Sequence, residues 1–105
     1  MKTLTIRWEV KTWEQISRDL LYSVLSLRAE VFVVEQNCPY QDVDGKDPKA
    51  LHLLGYQNGE LAAYARLFGP GDYFEHASIG RVVTSPTHRG LGLGKQLMKQ
   101  AIESL

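Results

Sequence analysis

Ser85–Met98, SPTHRGLGLGKQLM, places glycines at 90, 92 and 94 in alternation with leucines, directly after an arginine. Before it, ASIGRVVT (77–84) is a strand-like run. After it, Leu93, Leu97, Met98, Ala101, Ile102 and Leu105 recur at helical spacing. A glycine loop between a strand and a helix suits an anionic ligand, because residues without side chains let a diphosphate reach the backbone N–H groups at the positive end of the helix. Arg89 and Lys95 add formal charge. The competing reading is that Gly90, Gly92 and Gly94 only permit a tight turn. Two nucleotide motifs do not fit. The dinucleotide fingerprint G-x-G-x-x-G meets Lys95 at its third glycine, and a Walker loop would need glycine at Arg89 and Ser or Thr at Gln96.

Working outward, LHLLGYQ (51–57) and ELAAYARLF (60–68) are strand-like runs around Asn58-Gly59, a strong type I′ hairpin signal. Gly69-Pro70-Gly71-Asp72 makes a turn. Upstream, EQNCPYQDVDGKDPK (35–49) has the composition of a loop, and loops of about 12–15 residues without structure of their own are often functional. Leu4, Ile6, Trp8 and Val10 alternate with polar residues as in a half-buried first strand. Thr12 and Gln15 resemble a capping box, and Trp13, Ile16, Leu20, Val24, Leu27 and Val31 predict one long amphipathic helix. The order is strand, helix, three strands, helix, and no C-terminal Gly or Asn cap follows the last helix.

The 105 residues, 44% hydrophobic and 23% charged, suit a single domain over residues 1–105. Net charge is zero, which argues against broad attraction to nucleic acid or anionic membrane. The distribution is uneven: residues 1–75 carry 8 basic and 11 acidic side chains, residues 76–105 carry 4 and 1. The glycine-rich end is thus the anion-friendly one. A single cysteine, Cys38, fits a reducing, cytoplasmic setting, and no apolar run approaches the roughly 20 residues of a membrane helix.

VVTSPTHRGLGLGKQLM (82–98) resembles motif A of the GNAT superfamily of acetyl-CoA-dependent N-acetyltransferases, whose (Arg or Gln)-x-x-Gly-x-(Gly or Ala) pattern falls on Arg89, Gly92 and Gly94. LRAEVFVVEQNCPYQDVDG (27–45) is similar to the segment after the first helix in the ElaA-like branch of that superfamily, and IGRVVTS (79–85) to its motif A strand. The resemblance implies coenzyme A as cofactor, bound as acetyl-CoA. Arg89, Gly90, Leu91, Gly92, Leu93, Gly94 and Lys95 would hold its pyrophosphate, and Val82, Val83 and Thr84 would offer backbone groups to the pantetheine arm. Two neighbouring strands splay there in the family, which leaves a backbone N–H free to polarise the thioester carbonyl. The implied reaction is acetyl transfer to a primary amine, small or on a peptide, by direct attack in a ternary complex.

Such transfer needs a neutral amine, a stabilised oxyanion and a proton for the leaving thiolate. Glu35, at the start of the acidic loop, and His52, in a strand, are the catalytic candidates. Against this, Glu35 could pair with Arg28 or Arg81, and a lone strand histidine is more often structural. Asp42, Asp44, Arg66 and Arg81 are the substrate-binding candidates, although a charged group inside a strand needs a partner and both arginines could simply pair with Glu35. Tyr64 shares the parity of Arg66. Asp42, Asp44 and Asp47 partly mimic a calcium loop, but an EF-hand would need an oxygen ligand at Lys46 and glycine at Asp47, so no metal site is expected. Cys38 has no activating neighbour and reads as structural.

The expected fold is α/β (α+β), a mixed, mainly antiparallel sheet flanked by helices. It corresponds to the GNAT fold without its C-terminal strand-helix-strand part, where the family's thiolate-protonating tyrosine often lies. A truncated form or a second chain would account for the shortfall. Two further functions stay open: a coenzyme A binding module or inactive fragment that forms a homodimer through its edge strand and last helix, and an acyltransferase like the acyl-homoserine-lactone synthases, which share the fold and a Leu-Arg-x-x-Val-Phe segment.

Overall fold

Alternation and turn chemistry produce one sheet. In the computed structural model, which describes residues 6–39, 41–72, 75–89 and 92–105, the strands are β1 (Arg7–Thr12), β2 (Leu51–Gln57), β3 (Glu60–Phe68) and β4 (Ser78–Thr84). They lie in the order β1-β2-β3-β4, and each neighbouring pair is antiparallel. The β2–β3 hairpin turns where expected: Asn58 and Gly59 both take positive φ, 52° and 81°, as a type I′ turn requires. Leu4 lies outside the described residues. Ile6 and Trp8 pack on the core while Val10 is 44% exposed, as suits an edge strand. Trp8 faces Gly55 across the β1–β2 ladder, and a Cβ at position 55 would stand 2.6 Å from its ring, so the strand glycine makes room for the indole.

Helices cover both faces of the sheet. Leu93, Leu97 and Ala101 of α2 (Leu93–Glu103) pack against Leu53, Ala63, Ala65 and Leu67. The small residues at 63 and 65 let the helix approach closely. On the other face, Val24 and Leu27 of α1 (Arg18–Arg28), with Val31, pack against Leu54, Tyr64 and Val83. Because successive strand residues face opposite ways, Leu53 and Leu54 serve different helices. Each fully buried leucine contributes about 2 kcal/mol through the water it sheds. Met98, Ile102 and Leu105 stay exposed on or just past α2.

The first helix departs from expectation. Gln15 Oε1 accepts from the Thr12 N–H at 2.9 Å, but this capping contact closes only a 3₁₀ turn, Trp13–Gln15. The chain is extended at Ile16 and starts again at Ser17, whose hydroxyl accepts from the Leu20 N–H at 3.1 Å and caps α1. Apolar spacings of three and four cannot reveal such a break; the second cap residue could. Beyond Arg28 the coil widens into a π-helical segment, Ala29–Glu35, so Glu35 ends a helical stretch rather than opening the acidic loop.

Candidate active site

β4 carries an irregularity at its centre. Tyr64 pairs with Val83 but Arg66 pairs with Gly80, so Ala65 faces two residues, Arg81 and Val82. This is a β-bulge, and Arg81 adopts φ +50° within it. Past the bulge the ladder resumes at Val83 and Thr84, and the Ser85 N–H donates to the Ala62 carbonyl at 2.7 Å. A 3₁₀ turn, Pro86–His88, then delivers Arg89.

Arg89 Nη1 lies 2.8 and 2.9 Å from the two carboxylate oxygens of Glu35, and Nη2 donates to the Thr84 carbonyl at 3.3 Å. Both side chains of this pair are 40% exposed. Glu35 therefore meets Arg89, not the Arg28 or Arg81 that the sequence offered. Gly90 and Leu91 lie outside the described residues. Gly92 takes φ +75° and opens α2 with no side-chain cap, so the first-turn N–H groups, which a helix leaves without partners of its own, face the loop. Among the described residues, a Cβ on Gly94 would meet nothing within 4 Å. Glycine within a helix costs about 1 kcal/mol relative to alanine, and packing does not require it here. A helix N-terminus that follows Arg89 and carries the exposed Lys95 in its first turn has the charge chemistry that attracts anions. Of the expected cofactor residues, Leu93 and Val83 have their side chains buried in the core, which leaves only their backbone groups to meet a ligand.

The acidic loop is built in the opposite way. Arg28 donates from Nε to Asp42 Oδ2 at 2.9 Å, from Nη1 to Asp47 Oδ1 at 2.8 Å and from Nη2 to the Asp42 carbonyl at 3.0 Å. Arg66 grips both oxygens of Asp44 at 2.9 Å and reaches Asp47 Oδ1 at 3.1 Å. Arg81 Nε donates to Asp42 Oδ1 at 2.8 Å, while Nη2 lies 3.1 Å from the Asp42 carbonyl and 3.3 Å from Asp44 Oδ2. Three guanidiniums thus neutralise three carboxylates. Hydrogen bonding from Arg66 holds the Asp44 carboxyl well below the usual range against the opposing effect of burial. Asp42, Asp44, Arg66 and Arg81, the substrate-binding candidates, pair with one another and with Arg28 and Asp47, as charges taken from water must be paired, and among the described residues Arg66 Nε is left buried without a partner.

His52 is 1% exposed and belongs to the same cluster. Nε2 lies 3.0 Å from the Asp47 carbonyl, which can only accept, so Nε2 carries the proton and Nδ1 accepts from the Tyr64 hydroxyl at 2.6 Å. Burial pushes the His52 pKa down and the Tyr64 pKa up, so both stay neutral. His52, expected as a catalytic candidate, is thus a ring whose two nitrogens are both engaged inside the protein. Arg28 and Asp47 were not singled out as members of such a cluster. The available signal was the matching count of three aspartates in one loop and three arginines at helix and strand positions that need partners.

The family model for the acetyltransferase (GNAT) family matches residues 9–105, nearly the whole chain. The chain belongs to the GNAT acetyltransferase family. Among its relatives, the protein ElaA of Escherichia coli (strain K12) is 46% identical over 101 residues, which cover 94% of this chain and 66% of ElaA. This GNAT chain therefore spans just under two thirds of that relative's length. The crystal structure of E. coli ElaA superposes with a TM-score of 0.88, covering 95% of this chain and 69% of that one. An acyl-CoA N-acyltransferase from Pseudomonas aeruginosa, 45% identical, gives the same TM-score over 95% of this chain and 70% of its own. The four-stranded sheet with its two helices is thus the GNAT fold of these neighbours. Among the described residues, no helix is long and apolar enough to cross a membrane.

Proposed function

We propose that this domain binds acetyl-CoA and transfers its acetyl group to a primary amine, in a reducing, cytoplasmic setting. The observation that carries the reading is the α2 N-terminus, which Gly92 opens at φ +75° three residues after Arg89 and where, among the described residues, a Cβ on Gly94 would meet nothing within 4 Å. Arg89 and the first-turn N–H groups of α2 would bind the diphosphate, and the backbone of Val82, Val83 and Thr84 would receive the pantetheine arm. Bound acetyl-CoA supplies the thioester whose C–S bond breaks as the new C–N bond forms. A backbone N–H released by the β4 bulge would donate to the carbonyl oxygen. Glu35, the candidate base, pairs with Arg89 at the diphosphate end of the site, so it would take up the amine's proton only through intervening water, once the diphosphate competes with it for Arg89. His52, with both nitrogens committed, holds Tyr64 and the Asp47 backbone in place, and the Asp42, Asp44, Arg66 and Arg81 charges serve the scaffold.

Calorimetric titration of acetyl-CoA tests this, with Arg89→Glu as control. Saturable binding that the variant weakens at least tenfold, together with thiol release on adding amines, is the expected result. A folded chain without binding would sink the reading. Binding without thiol release would favour a coenzyme A binding module, which the commitment of Glu35 to Arg89 supports as the second reading.

A further inference from the structure

The left-handed residue in β4 is the wrong type for its conformation. Bulges with a residue at positive φ are usually built on glycine, which has no Cβ to clash with the backbone. Here a glycine stands next door, yet the positive φ falls on Arg81 and not on Gly80. The side chain must therefore offset the strain, and its contacts show how. Nε donates to Asp42 Oδ1 at 2.8 Å and Nη2 to the Asp42 carbonyl at 3.1 Å, so the guanidinium grips Asp42 by side chain and backbone together, with a longer contact from Nη2 to Asp44 Oδ2 at 3.3 Å. Asp42 is itself fixed from the other side by Arg28, which is fully buried and donates to its Oδ2 and its carbonyl. The chain of contacts runs from a helix through the acidic loop to the bulge.

We infer that Asp42 is a positioning residue for acyl transfer: through Arg81 it holds the β4 bulge in the form that presents backbone N–H groups to the thioester. This rests on the acetyl-transfer reading above and gives the acidic loop a part in it without contact to substrate. A bulge leaves its extra residue outside the ladder, and the conformation of that residue decides where the neighbouring N–H points. If Arg81 relaxed to ordinary β geometry, Val82 would turn and the acyl-binding surface would close against β3.

Two variants separate backbone conformation from charge. Arg81→Gly and Arg81→Ala remove the same ion pairs, but only glycine accepts the left-handed conformation freely. Acetyl-CoA and plain CoA are titrated into the wild type, R81G, R81A, D42N and the D42N/R81G double variant, with thermal melts alongside. R81G should bind acetyl-CoA within about threefold of wild type, R81A and D42N about tenfold more weakly, and the double variant should follow R81G. The losses should be larger for acetyl-CoA than for CoA, which lacks the carbonyl; a merely structural loss would weaken both alike and overturn the assignment. Equal acetyl-CoA affinities for folded R81G and R81A would also overturn it, and this pair decides the matter should D42N not fold. Absence of wild-type binding would bring down the acetyl-transfer reading and this inference with it, whereas wild-type binding with R81G equal to R81A brings down the positioning role alone.

Discussion

Two clusters of charge occupy opposite conditions in this domain. Behind the sheet, Arg28, Arg66 and Arg81 meet Asp42, Asp44 and Asp47 in a largely buried set with its charges matched. At the end of β4, Arg89 and the α2 N-terminus stand at the surface with one exchangeable carboxylate partner. The first arrangement organises backbone; the second is where we propose the diphosphate binds. Residue type does not separate them, since both contain arginine beside an acid. Burial and saturation do.

Breaking the buried cluster should have the largest effect. Arg28→Met leaves Asp42 and Asp47 short of their shared cation and should cost about 3–5 kcal/mol of stability in urea denaturation. Arg89→Glu should do the reverse: acetyl-CoA affinity falls at least tenfold, while stability moves by no more than about 0.5 kcal/mol, as for an exposed pair. A folded R89E that lost as much stability as R28M would erase the distinction between the regions. His52 adds a pH signature of smaller size. Its folded pKa lies below the ordinary 6.5, so the unfolded chain takes up the proton first. Stability should hold above that value and decline as pH falls below it towards the folded pKa, and His52→Gln should flatten that part of a melt-against-pH curve. The smallest effect sharpens the comparison most. Gly94→Ala should stabilise α2 by up to about 1 kcal/mol and yet weaken acetyl-CoA binding, because the methyl group occupies space kept open for the ligand.

Much of the architecture was legible locally. Asn58-Gly59 announced its hairpin, the alternation of Ile6 and Trp8 marked the core-facing side of β1, and Arg89-x-x-Gly92-x-Gly94 marked a strand-to-helix loop. What escaped depended on distance along the chain. Arg81 and Asp42 are separated by 39 residues, and nothing in either neighbourhood names the other as partner. The Glu35–Arg89 pair spans 54 residues and is hidden for the same reason. The break at Ile16 was local, but it hides inside a hydrophobic rhythm that continues across it, and only the polar residue at 17 betrays a second start. The bulge is harder still. Gly80 is the residue that composition would choose for positive φ, and the neighbouring arginine takes it because a carboxylate from a remote loop holds it there.

The reach of the Arg81–Asp42 contact also bears on how the domain comes together. The β2–β3 hairpin closes over a two-residue turn, whereas the acidic loop can dock only after a helix and two strands have already met. Contacts that span so much chain carry a loop-closure cost that is met late on the folding pathway. The loop should therefore complete its contacts late and lose them early, along with the equally long-range β1–β2 pairing. Weakening it would hasten escape from the native state more than it would delay arrival there, so its aspartates act as a brake on unfolding rather than a nucleus for folding.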